Sequence, residues 1–307
     1  MAEGLTTAPA LARAALKGTQ APGYFRFKVG RFEVSVLSDG NLILPTSMLA
    51  TNVTEVELKA MLKASLLDPD RVMSHLNAAI INTGDALILV DVGAGLNFQA
   101  TAGKLSDNLV AAGYKPDDVD HVILTHGHPD HIWGLTDELD GSLRFPKATF
   151  HIAEAEWEFW ATDAAGKRLP AEFQGFALGA RRQLGAIAAR TKRLKPGVEI
   201  VPGVTLLGTH GHTPGHCSVV VSNGREKLLI AGDAITHAQV SFERPEWQPR
   251  ADMDGAAGAA TRKKLLDMLA TDRMGLLGFH LPFPGVGRVT RVGNAYRWLP
   301  DLWRWQL

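Results

Sequence analysis

Apolar residues alternate along residues 24–38, with Phe25, Phe27 and Val29 before Gly30-Arg31 and Phe32, Val34 and Val36 after it. A period of two predicts strands, and the glycine-containing pair between the runs predicts a hairpin. Residues 78–83 and 86–92 repeat the pattern around Gly84-Asp85, and the second arm ends at Asp91-Val92-Gly93. The spacing then lengthens. Residues 105–112 predict an amphipathic helix stopped by Gly113, and residues 122–125 a short, wholly apolar strand. From about 153 to 195 the chain is rich in Ala, Arg and aromatics at helical spacing, which predicts helices inserted between β-regions. Strands resume after Pro196-Gly197, at 204–207, 218–221 and 227–231, with an Asn223-Gly224 turn between the last two. Residues 256–269 predict a helix and 274–279 a strand. Strands mixed with helices in both halves predict a layered α/β sandwich, one domain over 23–307 with a helical insert at about 153–195. Residues 1–22 show no periodicity and are expected to be flexible.

Composition narrows the function classes. Apolar residues are 46% of 307, charged residues 21%, and 32 Lys and Arg balance 32 Asp and Glu. That rules out a disordered chain and offers no basic field for nucleic acid or an anionic membrane. The Arg181-Arg182 pair and the run Arg190, Lys192, Arg193, Lys195 read as a solvated helix face. Cys217 is the one cysteine; it cannot form an internal disulfide and reads as a small buried hydrophobe. No run of roughly 18 apolar residues predicts a membrane span. Glu3, Arg13 and Lys17 break up the N-terminal segment, which lacks the basic start and apolar stretch of a secretory leader. A soluble protein is expected, and cytoplasm and periplasm both stay open as its compartment.

The chemistry concentrates in histidines. His126-Gly127-His128-Pro129-Asp130-His131 sets three imidazoles and a carboxylate within six residues, directly after a strand. Imidazoles and carboxylates are the natural ligands of zinc and similar divalent ions, and residues two apart on a loop can converge on one ion while their neighbours face a second. His212, Asp233 and His280 each follow a later apolar strand, in loops where α/β folds gather functional groups. Singly, each would read as a structural polar residue; together they point to metal. His75, His121 and His151 read as structural.

The set HGHPDH (126–131), HTPGH (212–216), GD (232–233) and His280 resembles the metallo-β-lactamase superfamily. The resemblance implies a four-layer αββα sandwich with mixed sheets and two divalent metal ions at one edge. Zinc is the expected metal, and a His/Asp shell also accepts manganese, cobalt or iron. By position, His126, His128 and His212 would hold one ion, Asp130, His131 and His280 the other, and Asp233 would bridge both. Asp91 would prop the metal loop, and His216 would support the ligands from behind. Water activated between the ions would be the nucleophile, with Asp233 and Asp130 as the catalytic carboxylates, Asp130 carrying protons late in the cycle. A Cys does not stand at 233 as in cysteine-liganded β-lactamases, nor a Glu at 128 as in di-iron members.

Residues 232–247, residues 278–289 and Asn294-Ala295-Tyr296-Arg297 resemble more narrowly the methyl-parathion-hydrolase branch, which includes dihydrocoumarin-type lactonases. This implies a hydrolase of lactones or aryl esters with organophosphate triester cleavage as a native or side activity. A dedicated phosphotriesterase is one alternative, and a non-catalytic metal-binding sensor the alternative of another class. Thr236 stands where quorum-quenching lactonases carry a Tyr. Leu44, Phe98, Trp157, Phe173 and His237 are the expected substrate contacts of an apolar mouth, with Trp157 and Trp160 sharing a helix face. A small-molecule substrate and a homodimer, its interface fed by Trp298, Trp303 and Trp305, complete the expectation.

Overall fold

The computed structural model describes Ala14, residues 16–18 and residues 20–307, so most of the segment 1–22 expected to be flexible lies outside the described residues. Strand β1 (Tyr24–Val29) turns at Gly30-Arg31 into β2 (Phe32–Pro45), and α1 (Glu55–Ala64) leads to β3 (Arg71–Asn82) and β4 (Leu87–Val90). These four strands pair antiparallel in sequence order. Strands β5 (His121–Leu124), β6 (Thr149–Ala153) and β7 (Thr191–Leu194) then add in parallel. Parallel neighbours need crossovers, which α2 (Leu105–Ala111), α3 (Pro129–Ile132) and the trio α4 (Glu154–Trp160), α5 (Ala164–Arg168) and α6 (Gln174–Ile187) supply. The helices expected over 153–195 therefore end earlier, in a 3-10 turn at Ala188–Arg190. The run Lys192-Arg193 lies on an edge strand rather than a helix face, where long cations discourage strand addition.

The second sheet runs β14-β13-β12-β11-β10-β9-β8. Its members are β8 (Glu199–Val201), β9 (Val204–Gly208), β10 (Cys217–Asn223), β11 (Glu226–Ile230), β12 (Gly275–Leu277), β13 (Val286–Val292) and β14 (Ala295–Pro300). Between β11 and its parallel neighbour β12 run α7 (Val240–Glu243) and α8 (Gly255–Asp272). The hairpin β13–β14 was not expected; it seats Trp298 in β14, opposite Val289. Trp303 and Trp305 beyond it are 68% and 83% exposed.

Alternation sorts the strands into layers. Val34, Val36, Ile88, Val90 and Ile123 face Val219, Val221 and Ile230 between the sheets. Leu37, Leu89, Val122 and Leu124 point the other way, onto Leu109, Trp160 and Leu184 of the outer helices. Leu229 and Leu276 do the same on the second sheet, against Leu265, Leu266 and Leu269 of α8. The result is the αββα sandwich with two mixed sheets. Apolar runs such as 122–124 are strands covered on both faces. Among the described residues no helix is long and apolar enough to cross a membrane.

Candidate metal centre

The histidine-bearing loops converge at one end of the sandwich. Strand β4 stops at Asp91, whose φ of 59° is left-handed, a strained conformation for a residue with a Cβ. That turn aims the carboxylate under the loop after β5. Asp91 accepts hydrogen bonds from the Thr125 amide and hydroxyl, both at 2.8 Å, and from His131 Nδ1 at 2.8 Å. Pro129 opens α3, so Asp130 and His131 sit in its first turn.

Two groups of buried ligand atoms result. His126, His128, His212 and Asp233 form one; Asp130, His131 and His280 form the other, and within each the candidate atoms lie within 4.8 Å of one another. His128 Nδ1 is 3.0 Å from His126 Nε2 and 2.9 Å from His212 Nε2. Asp233 reaches both groups: its Oδ2 lies 3.2 Å from His212 Nε2 and 3.1 Å from His280 Nε2, its Oδ1 3.1 Å from His131 Nε2. Asp130 Oδ2 is 3.4 Å from His280 and 3.6 Å from His131.

The protons on the far side of each ring decide what these groups can hold. His131 Nδ1 donates to Asp91, and His212 Nδ1 to Asp252 Oδ1 at 2.9 Å. His280 Nδ1 donates to the His75 carbonyl at 2.9 Å. The Thr125 hydroxyl gives its proton to Asp91, so at 3.1 Å it accepts from His126 Nδ1. In their neutral form these four imidazoles turn Nε2 lone pairs inward. His131 Nε2 and Asp233 Oδ1 are buried with no hydrogen-bond partner. Buried polar atoms are rarely left so, and lone pairs facing lone pairs fit cations.

The electrostatics agree. Burial opposes ionisation of Asp233, but His280, His131 and His212 outweigh it and hold the carboxyl well below the usual range. Burial likewise pulls His131, His212 and His280 down, yet Asp233 and the other carboxylates hold all three above the ordinary histidine value, His212 at about 9. His126 and His128 are pushed well down by burial and by their imidazole neighbours. The carboxylates thus draw positive charge to this point, whether as protons on these rings or as a cation between them.

The chain matches the Metallo-beta-lactamase superfamily profile over residues 74–275. It belongs to that superfamily. Among solved structures it is similar to a hydrolase named AbOPH, described as in the beta lactamase superfamily (31% identity, 93% of this chain and 100% of that one, TM-score 0.87). It is similar also to AidC, described as a dizinc quorum-quenching lactonase in complex with a product (29% identity, 92% and 98%, TM-score 0.86). A probable metallo-hydrolase of Mycobacterium tuberculosis is 29% identical over 181 residues, 52% of this chain. An N-acyl homoserine lactonase of Bacillus cereus is 26% identical over 165 residues, 54% of this chain. The chain spans somewhat over half the length of these two relatives, 56% and 57%.

The supporting residues were only partly anticipated. His216 lies behind the cluster as well: its Nδ1 donates to the Thr209 carbonyl and its Nε2 accepts the Asp233 amide at 3.0 Å. Three more carry comparable weight. Glu156 on α4, fully buried, accepts from Gly127 N (2.9 Å) and Trp160 Nε1 (2.5 Å) on one oxygen and from Thr213 Oγ1 (2.8 Å) and Gly215 N (2.9 Å) on the other. It ties the 126–131 loop to the 212–216 loop. A Cβ on Gly215 would lie 2.2 Å from the Glu156 amide, so only glycine permits that approach. Asp252 fixes His212 and is itself held by Arg262, a buried guanidinium that also donates to the carbonyls of Ala234, Pro245 and Trp247.

A cavity of about 330 Å³ opens over the cluster, bounded by His128, Asp130, His212, Asp233 and His280. Leu44, Phe98, Phe173 and His237 line it, joined by Leu42, Met48 and Phe176. Phe176 meets Phe98 edge-on at 5.8 Å and Phe173 at 5.2 Å. Trp157 is the exception. It does not line the cavity, because α4 presses it into the core beneath the Arg193 guanidinium, 4.5 Å from the ring centroid. Trp160 on the same helix packs behind His128.

Proposed function

We propose that this protein is a dinuclear metal-dependent hydrolase that opens lactones or cleaves aryl esters, with organophosphate triesters as a native or side substrate. The observation that carries the reading is the meeting of four inward lone pairs and Asp233 at the floor of an apolar, aromatic-walled cavity. His126, His128 and His212 are the proposed ligands of one ion, Asp130, His131 and His280 of the other, and Asp233 of both; zinc is the proposed metal. When bound, such a pair of ions supplies a nucleophile near neutral pH and Lewis-acid help at the reacting oxygen.

The chain's own residues do the rest. Asp91, Asp252 and the His75 carbonyl hold the ligand rings in the tautomer that faces inward. Phe98, Phe173 and Phe176 seat an apolar or aryl group and keep bulk water off the reacting bond. The same wall suits an aryl leaving group on carbon or on phosphorus, which is why both substrate classes belong to the proposal. A panel of lactones, aryl esters and phosphate triesters, assayed beside elemental analysis of one preparation, tests it. Absence of turnover in protein carrying two ions per chain would overturn it. We further propose a homodimer that covers Trp303 and Trp305; light scattering at about 33 kDa would overturn that.

A further inference from the structure

A second cavity, of about 250 Å³, adjoins the one over the cluster and shares His128, Phe173 and Phe176 with it. Two arginines from separate elements, Arg168 and Arg250, border it beside the apolar Leu169 and Met253. Arg168 ends α5, and that end is pinned because Gln174 Nε2 donates to the carbonyls of Gly166 at 2.9 Å and Leu169 at 2.7 Å. Arg250 stands on the loop after α7, where its amide donates to the Met48 carbonyl at 3.0 Å. Asp252, a carboxylate in the same lining, is already answered: one of its oxygens meets His212 and the other Arg262. Arg168 makes no ion pair among the described residues, and its guanidinium carbon rests 5.5 Å from the Phe159 ring centroid. Arg250 meets Glu172 at 2.8 Å, but these side chains are 50% and 49% exposed, and such a pair holds weakly. The cavity thus combines apolar walls with two guanidinium groups and one loosely held counter-charge.

We propose that this second cavity is an organic-acid site, which takes the carboxylate that hydrolysis creates. Adding water across a scissile C–O bond turns an uncharged lactone or ester into a carboxylate, a proton and a hydroxyl group. The two arginines therefore gain little from the substrate and attract the acid, whose charge arises one aromatic wall away. Guanidinium forks match a carboxylate in shape and stay charged at every working pH. Low-dielectric walls focus their field, so the pair attracts an anion more strongly than it would on an open surface. Leu169, Phe173 and Phe176 receive the aryl or alkyl remainder of the acid, and Glu172 competes with it for Arg250. The product is thereby drawn out of the reacting cavity, and free acid at high concentration binds back at the same place.

This inference rests on the hydrolase reading, so binding is measured apart from turnover. Calorimetry on the full chain as purified compares phenylacetate, phenylmethanesulfonate and the uncharged phenylacetamide. The sulfonate is the deciding probe, because it pairs with guanidinium but is a poor ligand for divalent metal. Both anions should bind roughly tenfold more tightly than the amide, the worth of one or two charge-assisted hydrogen bonds at a half-exposed site. Arg168→Gln and Arg250→Gln should each bring the sulfonate to within about twofold of the amide, and Arg168→Lys should retain part of the preference. Glu172→Gln should tighten the sulfonate by about two- to threefold, because the competing carboxylate is gone. Both arginines are exposed, so the variants should melt with wild type. Equal binding of sulfonate and amide in wild type, or an undiminished preference in both Gln variants, overturns the proposal. A carboxylate that binds where the sulfonate does not would place the acid on metal, and overturns it too. If no lactone or ester is turned over while the sulfonate follows the variants as stated, the hydrolase reading falls and the anion site stands. Turnover without any sulfonate preference leaves the hydrolase and removes the site.

Discussion

Glu156→Gln is the substitution that most directly tests how the metal loops are held. The carboxylate offers two acceptor oxygens to four donors, two from each loop or its supporting helix. A glutamine keeps one oxygen and turns an NH2 group towards the other two donors, so one loop loses both its bonds and faces a third donor. Hydrogen bonds to a charged group are worth about 1.5–3 kcal/mol each, which puts the loss at roughly 3–6 kcal/mol. Burial raises the pKa of Glu156, which means that the anion is held at a cost the amide escapes. That offset moves the expectation to the lower end, about 3 kcal/mol. For a chain of this size it corresponds to a fall of about 5–10 °C in melting temperature. The metal-loaded protein should also surrender its ions to a chelator at least tenfold more readily, because the loops carry five of the seven ligand candidates. Scanning calorimetry and chelator competition read the two effects. A melting temperature within 2 °C of wild type, with unchanged metal retention, would refute the reasoning, since four donors cannot lose half their acceptors without consequence.

Purified protein never exposed to chelator should hold about two divalent ions per chain by elemental analysis, since seven N and O ligands exceed one tetrahedral shell. Asp233→Ala should lower that number and abolish hydrolysis. Phe173→Ala should shrink the preference for dihydrocoumarin over an aliphatic δ-lactone by about ten- to fiftyfold, the value of ~60–100 Å² of ring face at ~25 cal/mol/Å²; an unchanged kcat/KM ratio would remove Phe173 from the site. Asp39, buried while accepting the amides of Ala94 and Leu105, is held by burial at about 6, so between about pH 4 and 6 the folded chain keeps a proton that the unfolded chain releases. Stability should therefore fall by up to roughly 3 kcal/mol as pH rises through that window, relative to Asp39→Asn. Parallel pH profiles of the two would refute this.

The candidate ligand positions were legible because metal chemistry tolerates few residue types, and each candidate follows an apolar strand. His126, His212, Asp233 and His280 lie 21 or more residues apart, at different strand ends, yet the strand–loop grammar marks each of them without knowledge of the packing. The supports were less legible for a physical reason. Glu156 precedes Trp157 on a helix whose spacing looks like any amphipathic surface, and Arg262 opens an ordinary basic triplet with Lys263 and Lys264. What singles them out is burial, which only tertiary packing decides. Trp157 failed for the same reason: helical periodicity says which side chains share a face, not whether that face meets a cavity or the sheet. The long β2–β3 ribbon was hidden differently. Its pairs Leu42↔Ser74 and Leu44↔Val72 continue beyond the expected hairpin arms, because Ser38, Asp39, Gly40 and Asn41 interrupt the alternation and the register shifts there. That irregularity carries Ser74 under His280, at 2.9 Å from its Nδ1, and brings Leu42 and Leu44 over the metal candidates. Sequence thus reports the atoms that do chemistry more readily than the atoms that hold them still, since the first are constrained by type and the second by surroundings.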